Sequence, residues 1–123
     1  MNILLPINPK YVEKILSGDK KYEYRKNKPK KNNINKIIIY STSPIMKVVA
    51  EVEIEEILED TKENIWNKTN KYSGITKEFY DKYYQNKKKA IAYKLGNVKK
   101  YDNPKELKEI GIHYIPQSFV YIN

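Results

Sequence analysis

The chain is 123 residues long and carries 24 basic against 15 acidic side chains, which gives a formal net charge of +9. That length predicts one domain over residues 1–123, and the lack of cysteine excludes disulfides and thiolate metal sites. We therefore expect a cytoplasmic protein without a membrane segment, and its charge favours polyanionic partners such as nucleic acid.

Four strands and one helix are predicted in the first half of the chain. Asn8 and Pro9 suit the N-cap and the first position of a helix over residues 9–17, which Gly18 ends in the left-handed conformation. A basic, asparagine-rich loop is expected at residues 26–35, because that segment is too polar to be buried. The predicted strands are residues 2–7, 21–25, 36–42 and 47–57.

Three helices and two strands are predicted in the second half. Asp60 with Glu63 makes a capping-box start for the first of these helices, and Thr76 starts the second. Both helices lie in an insertion at about residues 60–86. The Asn-Pro pair at residues 103–104 is expected to cap a short third helix. The predicted strands are residues 90–98 and 119–122.

The order of these elements predicts the fold class. No internal repeat, heptad or low-complexity tract interrupts the order. Strands outnumber the helices that are needed to cover two faces of a parallel sheet. We therefore expect an α+β fold, a small mixed or antiparallel β-barrel with flanking helices.

The second helix of the insertion carries an aromatic stripe. Phe79, Tyr80, Tyr83 and Tyr84 recur there at helical spacing. Such a stripe packs into a core more often than it serves as a stacking platform for a ligand. Core packing is therefore the favoured interpretation, with stacking as the alternative.

Arginine occurs once among the 24 basic residues, at Arg25. Where arginine is kept against such a lysine bias, we expect its planar five-donor fork to be needed, because lysine is only a compact point charge. The usual partners of that fork are carboxylates, phosphates and base edges. The alternative is a structural ion pair with Glu23.

No familiar catalytic signature is present, and neither a cofactor nor a metal site is predicted. His113 is the only histidine, and the four glycines are scattered instead of forming a phosphate-binding loop. What remains is Lys20, Glu23 and Arg25, within six residues. Such a cluster can read a base edge and its phosphate, can use the lysine as a base or nucleophile, or can act as a structural ion-pair cluster.

The stretch Gly18-x-Lys20-x-x-Glu23-x-Arg25 resembles the GxKxxExR signature of the ASCH domain, a PUA-like β-barrel family. Three further features agree with that family and are spread over nearly the whole chain. They are a helix that ends at the signature glycine with Ile15-Leu16-Ser17, a strand end at Tyr40-Ser41-Thr42-Ser43-Pro44, and a terminal Pro116-Gln117-Ser118-Phe119-x-Tyr121.

The resemblance implies a mixed barrel of five to six strands with a cleft between the barrel wall and the first helix. Lys20, Glu23 and Arg25 would line this cleft, where family members bind RNA or other nucleic acid and where a base or nucleotide is accommodated. The residues implied at its rim are Tyr40, Ser41, Thr42, Ser43, Gln117 and Ser118. Weaker candidates are Trp66 and Tyr72 as a cover, and Lys30, Lys31, Lys87 and Lys88 as phosphate contacts from lysine-rich loops.

One bacterial branch of the family resembles an enzyme, an amidohydrolase that removes acetyl groups from N4-acetylcytidine. Its lysine corresponds to Lys20, but its catalytic threonine three residues later corresponds to Glu23. Its further catalytic glutamate has no counterpart, because residues 70–76 contain no carboxylate. Other members of the family are described as ribonucleases.

These observations leave three functional hypotheses. The first is a nucleic-acid-binding module, with RNA favoured, in which Arg25 and Glu23 specify the base and Lys20 holds phosphate or orients the base. The second is a small hydrolase acting on a modified nucleoside, or a ribonuclease, with Lys20 as base or nucleophile and Glu23 in proton transfer. The third is a regulator that senses a small nucleotide without binding a strand.

Overall fold

Six strands form one sheet in the computed structural model, which describes all 123 residues. The strands are β1 (Asn2–Ile7), β2 (Tyr22–Arg25), β3 (Lys36–Ser41), β4 (Lys47–Thr61), β5 (Lys89–Lys105) and β6 (Val120–Ile122). Their order across the sheet is β2-β5-β4-β3-β1-β6. β1 and β3 pair in parallel, and every other neighbouring pair is antiparallel. The sheet is therefore mixed, and the predicted α+β class is confirmed.

Three α-helices flank the sheet: α1 (Pro9–Ser17), α2 (Lys62–Thr69) and α3 (Lys77–Tyr83). The predicted bounds of α1 are confirmed, because the Asn8 side chain accepts from the N–H of Lys10 and Gly18 has a φ of 87°. The predicted start of α3 is confirmed too, since Thr76 caps it. Short 3₁₀ helices lie at Asn70–Tyr72 and Leu107–Ile110. No helix is long and apolar enough to cross a membrane.

β4 and β5 run further than the sequence predicts. β4 continues to Thr61 instead of ending at residue 57, and β5 continues to Lys105 instead of ending at residue 98. The two strands pair along almost their whole length, from Val48 with Lys105 to Thr61 with Lys89. Such a ladder satisfies many backbone N–H and C=O groups at once, so it overrides local signals that favour a helix start.

Two predicted helix starts are wrong for the same reason. Asp60 remains in β4, and the hydroxyl of Thr61 caps α2 in its place by accepting from the N–H of Asn64. The Asn-Pro pair at residues 103–104 lies inside β5. The short helix that follows is instead begun by a capping box between Glu106 and Glu109.

Two apolar clusters position the signature segment. The larger cluster lies between α1 and the sheet and includes Ile15 and Ile39. The second, which we call the tyrosine cluster, packs under α2 and α3 and includes Tyr24, Tyr80 and Tyr84. The signature turn joins α1, which packs on the first cluster, to β2, which contributes Tyr24 to the other. It therefore lies where the two clusters meet.

Candidate functional site

Backbone hydrogen bonds hold the signature turn at both ends. The N–H of Lys20 donates to the carbonyl of Lys14 at 3.0 Å. The N–H of Lys21 donates to the carbonyl of Tyr72 at 2.9 Å, and β2 then pairs with β5. The turn is thus tied to α1, to the insertion and to the sheet, so its side chains are held in fixed directions.

A cavity of about 190 Å³ opens beside this turn, and we call it the signature cavity. Its charged lining consists of Lys20, Glu23 and Arg25. The other lining residues are aliphatic or aromatic and come from α1, β2 and the insertion: Tyr11, Tyr24, Ile75, Phe79 and Tyr83. Apolar walls around a few convergent polar groups are typical of a small-ligand site, and the volume is below the roughly 300 Å³ at which sites for drug-sized ligands begin, so only a small group fits.

Lys20 is almost fully buried, with 3% of its surface exposed. Its Nζ donates to the carbonyl oxygen of Ser73 at 2.6 Å and lies 3.9 Å from Oε1 of Glu23. The same ammonium lies over the rings of Tyr24 and Tyr11, 4.9 and 5.6 Å from their centroids. Burial lowers the pKa of Lys20 from 10.5 to about 8, although the nearby Glu23 carboxylate acts in the opposite direction.

This lowered pKa gives Lys20 two accessible forms near neutral pH. Lys20 is mainly an ammonium at pH 7 and mainly a neutral amine above about pH 8. Because the unfolded chain keeps this proton up to about pH 10.5, the contribution of Lys20 to the free energy of unfolding rises with pH between about 8 and 10.5. The ammonium can hold an anion and the amine can accept a proton, so the chemistry available in the cavity depends on pH.

Arg25 and Glu23 form a close ion pair beside Lys20. Nη2 of Arg25 lies 2.9 Å from Oε2 of Glu23, and Nε donates to the same oxygen at 3.1 Å. Nη2 also donates to the carbonyl oxygen of Pro6 at 2.9 Å, which ties β2 to β1, a strand that is not its neighbour in the sheet. The structural ion pair between Arg25 and Glu23, which was the alternative interpretation from the sequence, is therefore present. Nη1 makes no hydrogen bond within the protein.

The aromatic stripe of α3 is divided between two environments. Tyr80 and Tyr84 are buried in the tyrosine cluster, and their hydroxyls donate to backbone carbonyls. Phe79 and Tyr83 line the signature cavity instead, and Phe79 is 47% exposed. Core packing, the interpretation that the sequence favours, therefore holds for Tyr80 and Tyr84, while Phe79 and Tyr83 face the cavity.

The residues that the sequence places at the rim do not line the signature cavity. Tyr40 is buried elsewhere and lines a separate groove of about 360 Å³ together with Met46 and Tyr114. The lining of the signature cavity also lacks Ser41, Thr42, Ser43, Gln117 and Ser118. The structure does not bring these residues together with the signature, and their part in ligand binding stays a prediction.

The insertion contributes to the cavity, but through other residues than those the sequence suggested. Trp66 packs against Tyr80, with 4.7 Å between the ring centroids. Tyr72 is exposed, and the ammonium of Lys21 lies 4.4 Å from its ring centroid. Ile75 and the outward pair of α3 line the cavity instead. A role of Trp66 or Tyr72 in ligand binding stays a prediction.

The four loop lysines suggested as phosphate contacts lie outside the cavity lining. The backbone N–H groups of Lys30 and Lys31 donate to the hydroxyl of Tyr121 at 3.0 and 3.2 Å. Lys87 and Lys88 are exposed in the turn before β5. Their contact with phosphate stays a prediction.

Sequence reasoning identified the aromatic stripe of α3 but did not assign Phe79 and Tyr83 to a cavity, and it missed the partner of Lys20. Phe79 and Tyr83 are four residues apart and so share a helical face, which is a detectable signal. The carbonyl of Ser73 leaves no such signal, because the bond joins residues 53 positions apart through a backbone atom. No group of three or more histidine, cysteine, aspartate or glutamate side chains is placed to hold a metal ion.

The architecture defines a class, a small α+β domain with the ASCH fold. The crystal structure of ASCH from Zymomonas mobilis matches it with a TM-score of 0.89 at 25% sequence identity, over 99% of this chain and 87% of that chain. The chain belongs to the family described as a domain of unknown function, DUF365, which matches residues 1–118.

Two relatives are similar in sequence. Large ribosomal subunit protein uL22 of Ureaplasma parvum is 38% identical over 91 residues, which is 74% of this chain and 29% of that protein. The ASCH domain-containing ribonuclease of Zymomonas mobilis is 26% identical over 110 residues, which is 88% of this chain and 74% of that protein. The chain thus spans less than a third of the length of the uL22 relative.

Proposed function

We propose that this chain is a nucleic-acid-binding module, with RNA as the favoured ligand, which accommodates one base or nucleotide in the signature cavity. The observation that carries this proposal is the composition of the cavity, in which aromatic walls surround Lys20, Glu23 and Arg25. Aromatic side chains stack on any base, and polar groups then bond its edge. Similarity to the ASCH domain-containing ribonuclease supports RNA as the ligand class.

The three charged residues supply complementary groups for a base edge. The Glu23 carboxylate accepts hydrogen bonds and is held in place by Arg25, whose Nη1 is available to donate. Lys20, as an ammonium, orients the base or holds a phosphate. Because protein groups already hold all three side chains, little ordering is needed when a ligand binds.

Replacing Phe79 by alanine tests the cavity directly. Phe79 is partly exposed, so its removal affects stability little, yet its ring lines the cavity. Base stacking on an aromatic side chain contributes about 1–3 kcal/mol. We expect Phe79→Ala to weaken binding of a short single-stranded oligonucleotide by that amount, measured in a titration at fixed salt.

Tyr114→Ala is the matched control for Phe79→Ala. Tyr114 is 60% exposed and lines the separate groove beside Tyr40. We expect this variant to bind as tightly as the unaltered protein, and thermal unfolding of both variants checks that the fold is retained. Equal losses of affinity in the two variants, or no loss in Phe79→Ala, would contradict base stacking in the cavity.

A second candidate function is a small hydrolase acting on a modified nucleoside, or a ribonuclease. The observation that favours it is buried Lys20 beside Glu23, because a pKa of about 8 leaves a minor neutral amine fraction at pH 7 that rises to about half near pH 8. A neutral amine can accept the proton of an attacking water or hydroxyl, and the Glu23 carboxylate 3.9 Å away can take part in its transfer.

Incubation with acylated nucleosides and with RNA, from about pH 6 to pH 9, separates the two functions. General-base catalysis by Lys20 predicts a hydrolysis rate that rises with pH and levels off above about pH 8. Binding through the Lys20 ammonium predicts an affinity that falls over the same range. If the protein binds oligonucleotides but shows no turnover, the hydrolase is excluded and the binding module remains as the function.

A further inference from the structure

The lysines differ in whether their ammonium groups pair with a carboxylate. Some pair with glutamates of β4, such as Lys36 with Glu51, Lys94 with Glu55 and Lys28 with Glu59, and others pair with acids elsewhere. Lys10 and Lys26 are among the lysines without such a partner, because both are exposed and neither ammonium lies within 4.0 Å of a carboxylate. Their positive charges are therefore not neutralised by the protein.

Each of these two ammonium groups lies over a ring that lines the signature cavity. Nζ of Lys10 is 5.9 Å from the ring centroid of Tyr11, on α1. Nζ of Lys26 is 4.7 Å from the ring centroid of Tyr83, on α3. Tyr11 and Tyr83 come from different elements, so the two cations lie beside rings that belong to two different walls of the cavity. Contact with a ring holds an ammonium in place without cancelling its charge.

We propose that Lys10 and Lys26 form two phosphate subsites at the mouth of the signature cavity, so that the cavity takes an internal nucleotide of a single strand. This inference rests on the proposed function and specifies its ligand. A free nucleoside fills only the cavity, whereas a trinucleotide also places a phosphodiester on each side of the bound base. The ligand class is therefore a single-stranded polynucleotide and not a free nucleoside.

The test compares nucleosides with trinucleotides. Each of the four nucleosides and the matching homotrinucleotides, in ribose and deoxyribose forms, is titrated at several salt concentrations. The proteins are the unaltered chain and the double variant Lys10→Gln/Lys26→Gln. Each contact with a single strand changes the slope of log affinity against log salt by about 0.7. We expect the double variant to lose about 1.4 of that slope for trinucleotides and to bind nucleosides unchanged.

Lys99→Gln/Lys100→Gln is the matched control, since it removes the same charge from an exposed part of β5 outside the cavity lining. We expect this control to keep the trinucleotide slope of the unaltered protein. Equal slope losses in the two double variants, or no loss in Lys10→Gln/Lys26→Gln, overturn the phosphate subsites. If nucleosides still bind in that case, the proposed function stands. If the unaltered protein binds neither nucleosides nor trinucleotides, both proposals fall.

Discussion

Glu23→Gln is expected to lower the free energy of unfolding by about 3 kcal/mol at pH 7. Glu23 is 7% exposed, and its carboxylate lies 2.9 Å from Nη2 of Arg25 and 3.9 Å from Nζ of Lys20. Glutamine keeps the shape of the side chain, so the substitution isolates the loss of one negative charge from between two cations. A buried ammonium is then left without a counter-charge, which is the strongly destabilising way to break a buried pair.

The loss of stability in Glu23→Gln should shrink as the pH rises. Above about pH 8 the buried Lys20 is a neutral amine, which needs no counter-charge. The Glu23 charge also raises the pKa of Lys20, so in the variant Lys20 loses its proton at a lower pH than in the unaltered protein. Denaturant unfolding at about pH 7 and about pH 9.5 measures both effects.

Glu59→Gln serves as the control, because Glu59 and Lys28 form an exposed pair with 3.7 Å between their charged atoms. Exposed pairs contribute little, so we expect this variant to match the unaltered protein within error at both pH values. A loss in Glu23→Gln that does not depend on pH would exclude the uncompensated ammonium of Lys20 as its cause.

Gly74→Ala is expected to destabilise the fold by about 2–4 kcal/mol. Gly74 has a φ of +71°, and a Cβ there would lie 2.7 to 2.8 Å from Cβ, Cγ and Cδ of Lys20. These atoms belong to the near part of the stem and cannot move without shifting Nζ from its bond to Ser73. The carbonyl of Gly74 also accepts from Nζ of Lys14 at 2.9 Å, so the substitution strains a segment that two lysines hold.

Gly18→Ala is the matched control for this substitution. Gly18 also has a positive φ, +87°, but a Cβ there would have nothing within 4 Å. Only the backbone conformation is then penalised, by about 1–2 kcal/mol. Denaturant unfolding gives the free energy of unfolding of both variants, and the difference between their losses measures the cost of the contact with Lys20. Equal losses would mean that the Lys20 stem moves aside without strain, and ligand affinity should then be unaffected as well.

Elements and site residues set by short stretches of sequence were predictable. α1 depends on Asn8, Pro9 and Gly18, which lie at its own ends, and its bounds are confirmed. The charged side of the cavity was visible because its three residues lie within six positions. The ends of β4 and β5 could not be predicted in this way, because they depend on pairing between strands that are distant in the sequence.

Which aromatic residues of the stripe line the cavity could not be predicted, for a related reason. Each of its rings lies in an amphipathic element whose apolar residues all resemble core residues in the sequence. Only the packing of α3 decides that Tyr80 turns inward while Phe79 and Tyr83 face the cavity. The direction of a helix face is a tertiary property, so local spacing identifies the stripe without assigning its members to core or cavity.

Arg25 joins two strands that the sheet itself leaves apart. β2 is an end strand whose only neighbour is β5, whereas Pro6 belongs to β1, near the opposite end of the sheet. End strands open locally more readily than central strands, and their amide hydrogens exchange faster with solvent. The bond between Arg25 and Pro6 therefore restrains one of the two end strands of the sheet. We expect a ligand that binds Arg25 to add to this restraint. Slower amide exchange along β2 with ligand than without it would then indicate an occupied cavity.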